Sequence, residues 1–420
     1  MTQLLDYRQF YINGLWVNPA KANDLEVIDP STEKAVAVIS IGDKADTDAA
    51  VAAAKAAFPA WAATPPAERL AYVEKILEVY KRRAKDMARA ISLEMGAPQD
   101  MSLDDQVDCG VYHIENFITA FKDFKFVRPL SADTPDTMIA WEPVGVVASI
   151  TPWNWPMNQV TLKVIPALLA GDTVILKPSE IAPLSSVVWT EIVDEAGLPA
   201  GVYNMVNGDG MGVGTQLSTH PDVDMVSFTG STRAGVAITK AAADTVKKVV
   251  LELGGKGANL VFADADENAV ARGVQHCFYN SGQSCNAPTR MLVERPLYDK
   301  AVEIAKKIAD ETAVDIAHKE GAHIGPVISK LQFDKIQGLI QDGINEGARL
   351  VSGGTGLPEH LSEGYFVRPT VFADVNNEMG IAKNEIFGPV LTIIPFDTEE
   401  EAVAIANDTI YGLTNYVQTT

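Results

Sequence analysis

Glu252-Leu253-Gly254-Gly255-Lys256 and, further along, Ser281-Gly282-Gln283-Ser284-Cys285-Asn286 place one carboxylate and one thiol in glycine-loosened settings. A thiol can attack a carbonyl carbon and hold the product as a thioester. A carboxylate in a partly dry pocket can take a proton from the water that cleaves it. The pair points to acyl chemistry through a covalent intermediate. The carbonyl could belong to an aldehyde, an ester or an amide, and only the aldehyde must lose a hydride before a thioester exists. A dinucleotide site is the feature that separates these cases.

The elements that would position such a site begin at Gly145, where short β-rich runs alternate with helical stretches. Strands are expected over Gly145 to Trp153, Thr173 to Lys177, Val202 to Val206 and Met225 to Thr229. That alternation predicts a parallel α/β architecture. Near Leu253 the pattern restarts, with Asn259-Leu260-Val261-Phe262 as a strand and Asn268 to Tyr279 as a helix, so a second α/β domain begins there. The first 120 or so residues read mainly as helices: Thr64 can cap, Pro65 suits a first turn, and Leu70, Val73, Ile76, Leu77 and Tyr80 repeat at helical spacing. Between about 123 and 142, Phe124 to Val127 and Met138 to Trp141 flank a turn-rich stretch and form an expected hairpin, whose open edge should pair with another segment or subunit.

The glycines Gly208, Gly210, Gly212 and Gly214 lack the third glycine of the G-x-G-x-x-G fingerprint at its required offset and read as a loop. Phe228-Thr229-Gly230-Ser231 is the better anion site, because a strand ends in Gly230 and a helix begins at once, where free amides and the Ser231 hydroxyl could hold a pyrophosphate. Lys177-Pro178-Ser179-Glu180 follows a strand, so its ammonium and carboxylate sit where ligands bind parallel sheets and could grip ribose hydroxyls. In Thr151-Pro152-Trp153-Asn154-Trp155-Pro156, the Asn154 amide could face a developing oxyanion. In Asn384-Glu385-Ile386-Phe387-Gly388-Pro389, Glu385 could take a second ribose. Read singly, these segments also suit a capped helix, a turn asparagine and a loop between core elements.

Of the 3 cysteines, Cys277 sits in an apolar helical stretch and reads as core, and His276 beside it points elsewhere, which argues against a Cys-His hydrolase. No C-x-x-C pair is present, so neither a disulfide framework nor a metal site is indicated. Acidic residues outnumber basic ones, 55 to 34, for a net charge of -21 spread along the chain. This disfavours nucleic acid and anionic membranes as partners. No apolar run approaches the roughly 18 residues that span a bilayer, and a cytoplasmic location is expected.

Taken together, the six motifs Pro152-Trp153-Asn154, Lys177 to Glu180, Phe228 to Ser231, Glu252 to Lys256, Gly282 to Cys285 and Glu385 to Pro389, in this order, resemble the aldehyde dehydrogenase superfamily, from about residue 10 to Thr420. The resemblance implies a Rossmann-like cofactor domain over 1–122 and 143–253, a bridging hairpin over 123–142 and an α/β catalytic domain over 254–420. It implies Cys285 as nucleophile, Asn154 with the Cys285 amide as oxyanion hole, and Glu252 as the base for hydrolysis. By the same likeness Trp153, Lys177, Glu180, Gly230, Ser231, Glu385 and Phe387 line the cofactor, with NAD preferred and NADP possible, since Glu180 would repel a 2′-phosphate. A homodimer or homotetramer follows if the family's C-terminal strand is present; members usually continue several tens of residues past this point. The alternatives are a CoA-acylating dehydrogenase, which the retained Glu252 disfavours, and a non-catalytic member of the fold.

Overall fold

The computed structural model describes residues 4–420. Two compact units make up the chain, with the main boundary between Glu252 and Leu253; residues 28–34 and 95–100 join the second unit.

The first unit is built on a seven-stranded sheet of β1 (Phe10–Ile12), β2 (Leu15–Val17), β3 (Val146–Ile150), β4 (Thr173–Lys177), β5 (Tyr203–Met205), β6 (Met225–Thr229) and β7 (Lys248–Glu252). Their order is β7-β6-β3-β4-β5-β1-β2. β3 to β7 run parallel, with Val147 beside Val174 and Met225, and the β1-β2 ribbon closes one edge antiparallel. β3 and β4 are buried along their whole length, as strands covered on both faces must be, which explains why they are mostly apolar rather than alternating. The chain leaves β3 toward β4 and β5 on one side and returns to β6 and β7 on the other. The β3/β6 boundary is therefore a topological switch point, where open α/β sheets bind ligands.

Helices α1 (Pro66–Arg82), α2 (Asp108–Asp123), α3 (Pro156–Ala170), α4 (Leu184–Ala196) and α5 (Thr232–Ala242) pack with this sheet and with one another. Pro156 opens α3, and Gly171 and Gly197 end α3 and α4 at φ 101° and 77°, the left-handed exit that glycine adopts without a side-chain clash. Val127–Pro129 and Met138–Ala140 pair antiparallel, Val127 opposite Ala140. Phe124 and Phe126 lie before the first of these strands. They stack edge-to-face on each other and, with Phe121 and Trp141, line an apolar groove of about 330 Å³.

Several sequence expectations need correction. Residues 4–40 are mostly strand, not helix. Asn13-Gly14, at φ 54° and 76°, is the two-residue turn that joins β1 to β2, a hairpin signal the helical reading passed over. Thr64 closes the helix before α1, donating its hydroxyl to the Ala60 carbonyl, and the residue ahead of α1 is Pro65. Gly210–Gly214 is a π-helical turn feeding a short helix rather than a loop, because the Asp209 side chain caps it through Gly212 N–H.

The second unit carries a six-stranded sheet. In chain order its elements are β8 (Ala258–Val261), α6 (Ala269–Phe278), β9 (Arg290–Glu294), α7 (Tyr298–Glu311), α8 (Lys330–Asn345), β10 (Arg349–Ser352), β11 (Thr370–Ala373), β12 (Val390–Phe396) and β13 (Tyr416–Gln418). The strand order is β10-β11-β12-β9-β8-β13, all parallel except β10. Alternate strand residues face opposite sides, and each side has its own core. Leu260, Leu292, Phe372 and Ile394 pack with Ile336 and Ile340 of α8. Val261, Met291, Val293, Val371 and Ile393 pack with Val274 and Cys277 of α6 and Ala301 and Ala305 of α7. No helix among the described residues is long and apolar enough to cross a membrane.

Candidate active site

In the first unit every residue singled out from the sequence lies at or just beyond the carboxyl end of a parallel strand. Asn154 follows β3, Lys177 ends β4, Gly230 and Ser231 follow β6, and Glu252 ends β7. Ser231 is the N-cap of α5: its hydroxyl oxygen accepts from the Ala234 amide at 3.3 Å, a bond that does not use the hydroxyl's own proton. Gly230 N–H donates to the Glu252 carbonyl at 3.0 Å, tying the pyrophosphate candidate to the base candidate. Glu252 itself is exposed.

Lys177 is 2% exposed and donates to the carbonyls of Pro178, at 2.7 Å, and Gly208, while Glu180 stands 3.6 Å away. Burial lowers its pKa and Glu180 opposes that shift. The ammonium is thus held against the backbone with one carboxylate beside it. Asn154 is 5% exposed, and its carbonyl accepts from Gln106 Nε2 at 3.1 Å; Trp153, next to it, is half-buried.

The second unit gathers Cys285, Glu385 and Phe387. Approaching the cysteine, Asn280, Ser281 and Gly282 take successive left-handed conformations at φ 52°, 55° and 72°. Two of these are not glycine, and such a run persists only where its surroundings over-determine it. The restraints are visible. Ser281 Oγ donates to the Gly325 carbonyl at 2.7 Å, Gln283 Oε1 accepts from Ile328 N–H at 2.9 Å, and Asn280 and Gln283 bond to each other's carbonyls at 3.3 Å. The turn closes with Ala287 N–H on the Ser284 carbonyl at 3.1 Å. The fully buried Gln283 becomes the half-buried Cys285 and the exposed Asn286 within three residues.

Gly255 backs this turn. A side chain there would collide with the Cys285 carbonyl, and its N–H donates to Glu385 Oε1 at 3.0 Å. One glycine therefore registers the thiol loop against the Glu385 loop. Burial raises the Glu385 pKa, against the pull of the Gly255 amide and of Lys335. From α8, Lys335 donates to the Glu385 carbonyl at 2.9 Å and Gln332 to the Phe387 carbonyl at 2.8 Å, which fixes Phe387 at a φ of 61°.

Cys277 is different in kind. It has no exposure, its Sγ lies 3.7 Å from the Val390 carbonyl, and burial pushes its pKa up to about 12. A thiol so far from ionisation is a poor nucleophile.

Three contributors escape the sequence reading. Lys163 on α3 is 8% exposed, donates to Thr229 Oγ1 at 2.6 Å, and has its pKa pulled down to about 8 by burial, with Glu252 opposing. It places an ammonium whose pKa is drawn toward neutrality in the field of the base candidate. Its only signal is a lysine within the apolar run Val160 to Leu169. Tyr416 donates its hydroxyl to the Asn286 carbonyl at 2.9 Å, and the charge of a Cys285 thiolate would raise the Tyr416 pKa further above the shift caused by burial. Gln106 carries no local signal. Among the described residues no group of three or more His, Cys, Asp or Glu side chains could hold a metal ion.

Residues 16–420 match the model of the aldehyde dehydrogenase family. A 3-succinoylsemialdehyde-pyridine dehydrogenase from a Pseudomonas species is 48% identical over 98% of this chain and 86% of its own length. The crystal structure of an aldehyde dehydrogenase from Bartonella henselae superposes with a TM-score of 0.99 at 62% identity, covering 99% of this chain and 88% of that one. That of a cysteine-to-alanine mutant of aldehyde dehydrogenase C from Pseudomonas syringae, complexed with NAD+ and octanal, superposes with a TM-score of 0.96 at 46% identity, covering 98% and 84%. The chain belongs to the aldehyde dehydrogenase family, the NAD(P)-dependent enzymes that oxidise aldehydes.

Proposed function

We propose that this protein oxidises an aldehyde to the free carboxylic acid with NAD, the acyl group passing through Cys285. The observation that carries the reading is the Cys285 turn: three left-handed residues bring one of the two α6-proximal thiols out of the core, while a side-chain-free Gly255 registers it against Glu385.

The residues present fit a dinucleotide. Ser231 leaves a hydroxyl proton and the first amides of α5 at the β3/β6 switch point, and the Glu180 carboxylate beside Lys177 suits a ribose diol. A 2′-phosphate would meet Glu180, which supports NAD over NADP. In the second unit, Glu385 is aligned through Gly255 for the other ribose, and Phe387 is set for the nicotinamide face. NAD, when bound, supplies the acceptor for the hydride that the carbonyl carbon loses.

The chain's own residues do the rest. Cys285 sulfur adds to the carbonyl carbon to give a thiohemiacetal, and the Asn154 side-chain amide and Cys285 backbone N–H stabilise its oxygen as charge develops. After oxidation Cys285 carries a thioester. Glu252 then takes a proton from the water that attacks the thioester, which releases the carboxylic acid and returns the Cys285 thiolate. An exposed Glu252 able to serve water favours release as free acid over transfer to CoA.

By the same reading residues 1–122 and 143–253 form the cofactor domain and 254–420 the catalytic domain, while the 123–142 hairpin with its apolar groove forms a homodimer or homotetramer contact. Three free cysteines accord with the reducing cytoplasm. The test is NADH formation with octanal and an aromatic aldehyde, with and without CoA. Free acid as the main product in both cases is expected; acyl-CoA in its place would overturn the hydrolytic assignment.

A further inference from the structure

Gln106 lies far from every motif, yet its side chain holds the backbone of Asn154. It sits in Ser102–Val107, a π-helical stretch leading straight into α2. Such wide turns are uncommon, shift the register of the helix that follows, and recur at functional sites. Here the shift has a defined result: Gln106 has no exposure, and its Nε2 donates to the Asn154 carbonyl at 3.1 Å.

The stretch is pinned from behind. The fully buried Tyr80 of α1 donates its hydroxyl to the Val107 carbonyl at 3.0 Å. Gly110 lets α2 come this close, since a Cβ there would fall 2.9 Å from Tyr80 Cζ and 3.4 Å from Cβ of Met157 in α3. Tyr80, Val107, Gln106 and Asn154 thus form one hydrogen-bonded line from the interior of α1 to the turn between β3 and α3.

A side-chain amide can stabilise an oxyanion only if it is already aimed when charge develops, and its aim follows the peptide planes on either side of its Cα. The Asn154 turn has no regular secondary structure to fix those planes. We propose that Gln106 is a positioning residue for the reaction: by gripping the Asn154 carbonyl it sets the direction of the Asn154 amide toward the thiohemiacetal oxygen. The proposal rests on the reading of Asn154 as oxyanion donor and predicts coupling between the two residues.

The experiment is a stopped-flow measurement of the NADH burst at saturating NAD and aldehyde in the full chain, with Gln106→Met in the wild-type and Asn154→Ala backgrounds. Gln106→Met keeps the side-chain volume and removes the donor. It should slow the burst by roughly 10- to 100-fold while the KM for NAD stays within about twofold. In the Asn154→Ala background the same change should slow it by less than about twofold. Should Gln106→Met not fold, Tyr80→Phe, which frees the π-helical stretch by one oxygen, takes its place with a smaller effect and the same non-additivity. Equal losses in both backgrounds, or none in either, would overturn the positioning role. An Asn154→Ala burst as fast as wild type would remove the premise instead, and that outcome is read from the single mutant alone.

Discussion

The end of α6 and the turn that follows it carry the same functional group to opposite ends. Cys277 packs among Val274, Met291 and Val293 with burial holding its proton in place, whereas Cys285 emerges half-buried from a run of left-handed residues. What differs is the backbone. Cys277 lies on the face of α6 that meets the core, whereas Cys285 lies beyond the helix, where left-handed residues redirect the chain. The restraints on Asn280, Ser281 and Gln283 hold that reversal in place, and they come from the segments around Gly325 and Ile328.

The largest effect should come from exchanging the two thiols' fates. Cys285→Ala should lower kcat by on the order of 10⁴-fold or more. Cys277→Ala should keep kcat within about tenfold and cost about 1 to 3 kcal/mol of stability, seen as a lower denaturation midpoint. Loss of activity in Cys277→Ala with a native midpoint would break the comparison outright.

Next in size is Glu252→Gln, expected to slow steady-state turnover by roughly 10²- to 10⁴-fold while leaving the NADH burst in place, since hydrolysis and not thiol addition needs the base. A vanished burst would move Glu252 to an earlier step.

Lys256 belongs with Cys277 rather than with Cys285. It is 2% exposed, its Nζ has no hydrogen-bond partner, and burial lowers its pKa from 10.5 to about 7, with Cys277 and Glu385 opposing and Arg290 and Lys335 reinforcing. Lys256→Met should stabilise the protein by roughly 1 to 3 kcal/mol at neutral pH. The sign with pH follows from linkage. Between about 7 and 10.5 the unfolded chain holds a proton that the folded one lacks, so the wild type gains stability as pH rises through that window. The advantage of the methionine variant is therefore greatest at and below pH 7 and fades toward 10.5. A pH-independent difference in denaturant midpoints would contradict it.

The smallest change is Ser231→Ala. Loss of the cap on α5 should cost about 1 kcal/mol and raise the KM for NAD several-fold, with kcat at saturation little altered.

Much of the candidate site is legible along the sequence because its parts are local. A strand running into Gly230-Ser231 and a helix is readable from those few residues, and the cap forms as they imply. The strands Thr173–Lys177 and Met225–Thr229, which flank Val146–Ile150, stand out because burial on both faces favours apolar and β-branched residues over strict alternation. Non-local features do not show. Gln106 acquires meaning only when α2 packs on α3, and Lys163 only when α3 lies beside β6. The early strands are missed for another reason: each is three to seven residues long, and the alanine-rich helical stretch that follows outweighs their short alternation.

The central claim is that Cys285 carries the acyl group. The most direct measurement is to mix Glu252→Gln protein with NAD and octanal, quench it in acid during the burst, and locate the adduct by peptide mass spectrometry. An octanoyl group on the peptide containing Cys285, in proportion to the NADH formed, is the predicted result. NADH formed with Cys285 unmodified, or with the octanoyl group on Cys277, would contradict the account.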